Sequence, residues 1–128
     1  MNMQVSRIID SPAEQVWWIL TDTHCWPVWG PSVRAVDCTD RYIRTGSKGR
    51  VLMAIGLWAD FQITAFEEGR YWSWRVYGIA ATGHRVQSLG PNRCRVIFEV
   101  PLFAAPYVLI CKLALQRIAK MCARPTQE

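Results

Sequence analysis

Apolar residues recur along this chain with two different periods, and the change between them divides it into elements. Met3 to Ile9 has the β-branched content of a strand and leads directly into "DSPAEQVWWIL". There Ser11 is the expected N-cap, Pro12 takes the first helical position where its missing N–H costs nothing, and Glu14 completes a capping box. The helix starts at Pro12 and ends near Asp22, with Val16, Ile19, Leu20 and one of Trp17 and Trp18 as its apolar stripe. In the following "THCWPVWGPSV", Thr23 caps one short second turn that carries Trp26 and Trp29 before Gly30-Pro31 stops it.

From Val33 the period becomes two. Strands are expected over 33–38, 49–56, 58–66, 71–78, 82–90 and 93–100, with turns at Thr45-Gly46, Glu68-Gly69 and Gly90-Pro91-Asn92. Short connections between them describe an antiparallel meander. Alternation puts Phe61, Ile63 and Ala65 opposite Asp60, Gln62 and Thr64, and Trp72, Trp74 and Val76 opposite Ser73, Arg75 and Tyr77. On the last strand Cys94, Val96, Phe98 and Val100 share the inner face, opposite Arg93, Arg95 and Glu99.

Helical spacing returns at about Ala105 and runs to Ala123. Val108, Cys111, Leu115, Ile118 and Cys122 form one stripe, with Lys112, Gln116, Arg117 and Lys120 opposite. Leu109 and Leu113 fall on the polar side, as a partner-facing pair or an exposed end would. The whole pattern is that of one α+β domain, residues 1–128: an antiparallel sheet of about seven strands, two short helices after strand 1, and a long C-terminal helix.

Composition narrows the function classes. With 51% hydrophobic and 20% charged residues in 128, the chain has the makeup of a folded domain with one core. Its longest apolar stretch, Val100 to Cys111, is broken by Pro101 and Pro106 and falls short of the ~18–20 residues that a bilayer span needs, so no stable membrane insertion is expected. The N-terminus lacks the pattern of a secretion signal, which makes a cytoplasmic location the default. Five widely spaced cysteines, with no C-x-x-C, argue for free thiols rather than a zinc site or a disulfide framework. The formal net charge of +5 comes from Arg and Lys scattered over the chain, a solvated surface rather than a nucleic-acid footprint.

The segment "IIDSPAEQVWWILTDTHCWPVWGPSV" (8–33) resembles the START-like (SRPBCC) superfamily, whose polyketide cyclase/dehydrase and lipid-transport members carry "I-x-A-P-x-x-V-W-x-x-L-T-D-x-x-x-W-P-x-W-x-P-x-V". Further matches are "ITAFEEGRYWSWRVYG" (63–78), "GHRV" (83–86) and the terminal amphipathic helix. The resemblance covers nearly the whole chain and implies a helix-grip fold, in which a curved sheet wraps the long helix. In that architecture Trp26 and Trp29 would fill the junction of the two short helices. The compact 39–48 connection, and Ser11 where Ala is common, imply a smaller cavity than in many relatives.

The fold so implied holds a cavity between sheet and long helix, and the residues expected to line it are Phe61, Ile63, Trp72, Trp74, His84, Val86, Phe98, Tyr107, Cys111 and Leu115. His84 shares the inner phase of Val86, so an imidazole stands among aromatics as a candidate acid or base, or as a satisfied core histidine. Thr82 and Ser88 share its side. No inward carboxylate pair, nucleophile elbow, metalloprotease helix or phosphate loop is present, and no cofactor or metal is implied. Three functions remain: binding or transport of a small hydrophobic or aromatic ligand such as a lipid, isoprenoid or polyketide, cyclase or aromatase chemistry through His84, or a filled-core interaction protein using Leu109 and Leu113. Either a monomer or a homodimer is compatible with the sequence.

Overall fold

A computed structural model describes residues 2–123. The chain runs β1 (Asn2–Ile9), α1 (Ala13–Thr21), α2 (Trp26–Trp29), β2 (Val33–Cys38), β3 (Lys48–Met53), β4 (Trp58–Glu67), β5 (Tyr71–Val76), β6 (Ile79–Gly90) and β7 (Arg93–Pro101). A 3₁₀ turn (Leu102–Tyr107) then leads into α3 (Val108–Ala123). The seven strands form one antiparallel sheet in the order β1-β7-β6-β5-β4-β3-β2, so the helical pair α1–α2 carries the chain from one edge of the sheet to the other. Register shifts between Ala65 and Ile63, Ser73 and Arg75, and Ser88 and Gly90 add bend and twist, curving the sheet around α3. This is the helix-grip architecture.

Two tryptophans complete the end of α1. A helix leaves its last four carbonyls without intrahelical partners. Here Trp18 O accepts from Asp22 N, Thr21 O accepts from Ile43 N, Trp29 Nε1 donates to Ile19 O at 3.1 Å, and Trp26 Nε1 donates to Leu20 O at 2.9 Å. The indoles of α2 therefore act as C-caps for α1, and each ring still buries its apolar body in the core. Trp17 is the buried member of the Trp17-Trp18 pair, whereas Trp18 is exposed against Tyr42.

Several local expectations shift. Pro12, not Ser11, is the N-cap of α1 and no side chain caps the helix, so the expected capping box does not form; Ser11 Oγ instead donates to the Gln15 side chain at Oε1, 3.1 Å away. Cys25 precedes α2, and Thr23 donates to Arg41 O at 2.9 Å instead of capping. β3 stops at Met53, and β5 meets β6 through a two-residue turn at Tyr77-Gly78, both with left-handed φ (59° and 71°). The bulge at Thr64 reverses the phase behind it. Ala65 pairs with Ser73 on the outer face and Phe66 pairs with Trp72 on the inner one, against the strict alternation that placed Ala65 inside.

The C-terminal helix is shorter than the 105–123 segment, because Pro106 holds its first turn in 3₁₀ geometry. Cys111, Ala114, Leu115 and Ile118 are its buried side. By length and composition alone the 22-residue segment Leu102–Ala123, with mean hydropathy 1.4 over an 18-residue window, reaches a membrane-spanning range. It includes Lys112, Arg117 and Lys120, and α3 packs against β1, α2 and β7 as the central helix of the domain.

Candidate functional site

The inner faces of β4 to β7 meet α2 in a column of rings. Trp26 stacks on Trp72 with centroids 5.4 Å apart, Trp72 stacks on His84 at 3.8 Å, and Phe98 meets His84 edge-on at 4.8 Å. Trp29 closes the column against Phe98, while Phe61 and Trp74 contact Trp26 edge to face. Such tilted and offset contacts add roughly 0.5–1.5 kcal/mol each to area burial.

A chain of hydrogen bonds threads this apolar column and fixes the state of His84. Trp74 Nε1 can only donate, and it donates to Thr82 Oγ1 at 3.1 Å. The Thr82 hydroxyl then donates to His84 Nε2 at 3.0 Å, and His84 Nδ1–H donates to the Trp72 carbonyl at 3.2 Å. Only the neutral Nδ1–H tautomer satisfies every donor. Burial pushes the pKa of this imidazole down from 6.5 to about 3, opposed only partly by the Trp72 carbonyl. Both ring nitrogens are thus occupied and the ring is uncharged at neutral pH. Trp72 Nε1, among rings on both faces, is the one buried side-chain polar atom without a hydrogen-bond partner among the described residues.

Two cavities adjoin the column. The inner one, between Trp29, Trp72, His84, Phe98 and Cys111, holds only about 30 Å³, room for about two water molecules. The outer one is an apolar groove of about 280 Å³ at the end of the sheet, between Val51, Met53 and Val76 on one side and Val100 and Phe103 on the other. Ser32, Val33, Trp74, Thr82 and Tyr107 line both and form the wall between them. In that wall the Ser32 hydroxyl is hydrogen-bonded to the Tyr107 hydroxyl, tying the entry of β2 to the start of α3. Burial raises the Tyr107 pKa and the Ser32 bond offsets part of that rise, so the phenol stays protonated.

Of the expected lining residues, Trp72, Trp74, His84, Phe98, Tyr107 and Cys111 meet at the inner cavity, and Trp74 and Tyr107 also face the groove. Phe61, Ile63, Val86 and Leu115 are buried in the core but line neither space. They lie where rings and aliphatic side chains already fill the volume between sheet and helix. The sequence reading missed Ser32, Met53 and Phe103. Ser32 and Phe103 stand outside the strands and the long helix, where neither alternation nor the helical wheel assigns a face, whereas Met53 falls within the strand expected over 49–56.

Burial raises the Cys111 thiol to about 11, which keeps it protonated. Glu99 lies on the outer face, where the Tyr71 hydroxyl donates to it at 3.3 Å and Arg85 stands 3.9 Å away. Asp22 is held by Arg41 through two bonds of 3.0 and 3.1 Å at the end of α1. Among the described residues no three His, Cys, Asp or Glu side chains cluster as a metal site would require.

Comparison with solved structures places this arrangement among known folds. The protein XoxI from Bacillus cereus is 16% identical with a TM-score of 0.72, each chain covering 94% of the other. The Zhui aromatase/cyclase from Streptomyces sp. R1128 is 12% identical with a TM-score of 0.74, over 97% of this chain and 94% of that one. Protein MLL2253 from Mesorhizobium loti is 13% identical with a TM-score of 0.74, over 99% and 100%. At such identities the likeness establishes the fold alone. No curated protein matches the chain. The family described as "Polyketide cyclase / dehydrase and lipid transport" matches residues 1–119, and the chain belongs to that family.

Proposed function

We propose that this protein binds a small apolar ligand in the groove at the open end of the sheet, in the cytoplasm and without a cofactor. The observation that carries this reading is an apolar groove of about 280 Å³ ending on a hydroxyl pair, Ser32 and Tyr107. That volume is near the lower limit of ligand pockets, roughly 300–1,000 Å³, which favours a single aromatic ring or a short chain over a long lipid. Val51, Met53, Val76 and Val100 supply apolar area, and Tyr107 with Ser32 supplies one point of polar recognition for a hydroxyl or carbonyl on the ligand. Binding is favoured over acid–base catalysis at His84. That imidazole is neutral, and Thr82 and Trp72 take both of its nitrogens.

Titration with medium-chain alcohols, ketones and single-ring phenols, followed by thermal shift and calorimetry, tests the reading. Saturable binding is expected, weakened about fivefold in Tyr107→Phe, since one neutral hydrogen bond contributes about 1 kcal/mol. Val33→Trp, which blocks the wall of the groove, abolishes it. Affinity unchanged by Val33→Trp would refute the groove as the site.

A further inference from the structure

The sheet ends differently on its two sides. At one edge β2 has six residues, a register shift between Val33 and Ala35, and charges at Arg34 and Asp37. These are features by which sheets blunt an edge against further pairing. At the other edge β1 has only the single charge of Arg7. Its eight residues pair with β7 in unbroken register, from Asn2 opposite Pro101 to Ile9 opposite Cys94, with no proline and no bulge. Every second residue of such a strand directs its N–H and C=O away from its one neighbour. Among the described residues no hydrogen bond from outside the sheet reaches Asn2 to Ile8; only Ile9 O is taken, by Ser11 N at 2.9 Å. Beside this edge α3 leaves a second groove of about 640 Å³, which shares no residue with the ligand groove. Leu109 and Leu113, 71% and 39% exposed, supply its apolar part together with the half-buried Val5. Arg7 and Lys112 supply its charge, and no Asp or Glu lines it.

We infer that the β1 edge takes an extended segment of a partner protein as an eighth strand, one that carries aliphatic residues and carboxylates on the same face. Main-chain hydrogen bonds to β1 supply the affinity, and the groove supplies the selectivity. Met3, Val5 and Arg7 point to the inner face of the sheet, because they pair with Val100, Phe98 and Val96. Side chains on that face of an added strand therefore meet Leu109, Leu113 and the two cations. Charge decides the occupant. Among the described residues neither Arg7 nor Lys112 forms an ion pair, and the nearby Glu99, opposite Gln4 on the outer face, is already engaged by Tyr71 and Arg85. A second copy of this chain fits less well. Pairing β1 with β1 about a two-fold axis brings two Arg7 and two Lys112 together with no carboxylate among them, on chains of net charge +5. A partner strand with carboxylates meets the same cations as attraction.

Fluorescence anisotropy with a labelled, capped peptide, Val-Thr-Val-Thr-Glu-Thr-Glu, tests the inference on the intact chain. Its valines and glutamates share one face. Saturable binding is expected, weakened by added salt and about tenfold by Arg7→Glu/Lys112→Glu, two exposed positions whose charges it reverses. Glutamine in place of both glutamates weakens binding in the same way. N-methylation of one alternate set of peptide amides abolishes binding and of the other set spares it, because only one set faces β1. The control Arg34→Glu/Arg75→Glu makes an equal change of net charge away from this groove and retains binding. No saturable binding overturns the proposal, as does equal loss with either methylated set, which would mean contact without strand pairing. A dimer in peptide-free solution that Leu109→Ser/Leu113→Ser dissolves overturns it too, in favour of a second copy as the occupant.

Discussion

Mild acid destabilises this fold through one imidazole. In the unfolded chain His84 titrates at an ordinary 6.5, but in the fold only at about 3, because burial disfavours the imidazolium more than the Trp72 carbonyl favours it. As pH falls, the unfolded chain therefore takes up this proton first. Stability is intact above pH 6.5 and declines from there towards pH 3, the window between the two values. Each pH unit within it costs about 1 kcal/mol or a little more, so roughly 2–3 kcal/mol is lost by about pH 4.5 and up to about 5 kcal/mol across the window. The comparison is His84→Phe, which keeps a ring between Trp72 and Phe98 but cannot be protonated. That variant is less stable at neutral pH, since it leaves the Thr82 hydroxyl and the Trp72 carbonyl short of a partner, yet this deficit does not vary with pH. Urea unfolding at about pH 7.5 and about pH 4.5 gives the slope for each protein, and the two slopes should differ by roughly 2–3 kcal/mol over that range. His24 is present in both proteins and cancels. Parallel slopes would refute the reasoning, as would an NMR titration placing the His84 midpoint near 6.

The other predictions concern packing. Trp29→Ala removes a buried ring and the donor that caps Ile19 O, and it should cost roughly 3–5 kcal/mol in urea unfolding. Gly49→Ala should destabilise by more than about 1 kcal/mol, because a Cβ there would stand 2.5 Å from Asp37 O and 2.9 Å from the Phe61 ring; an unchanged midpoint would show that the β2–β3 edge yields freely. Asp22 is desolvated, which raises its pKa, but its bonds from Arg41 and the His24 amide outweigh this and leave it below 3.8. Its contribution is present above pH 3.8 and lost as pH falls through the lower folded value. Asp22→Asn should therefore cost about 1–2 kcal/mol at neutral pH, with the deficit shrinking in acid.

The sheet was legible because one face of strands such as β4 and β7 is buried, which forces the two-residue period into their sequence. Where the chain departs from that period, the sequence carries no sign of it. Thr64 reads as an ordinary outward residue, yet the bulge there turns Phe66 in and Ala65 out. The Tyr77-Gly78 turn is equally hidden, since a tyrosine at positive φ is uncommon and the strand expected over 71–78 runs through both residues. The cap of α1 moved by one residue because Pro12 satisfies the N-cap backbone conformation (φ −58°, ψ 140°) as well as the first helical position. For the site, alternation gave the face but not the position along it. Phe61, Ile63 and Val86 share the inner face with Trp74, and only three-dimensional packing separates core from wall.

That separation traces back to α2. Trp26 lies 5.3 to 5.4 Å from Trp72, Trp74 and Phe61, and Trp29 lies 5.8 Å from Phe98, so two indoles from a four-residue helix occupy the middle of the space between sheet and α3. The inner cavity is reduced to about 30 Å³ in consequence, and His84 is sealed behind them in its neutral form. The larger of the two cavities beside the column lies where no ring of α2 reaches, at the end of the sheet beyond the Ser32–Tyr107 bond. The tryptophans that cap α1 therefore also set where open volume remains beside the ring column, and behind them the buried imidazole of His84 stays uncharged between Thr82 and the Trp72 carbonyl.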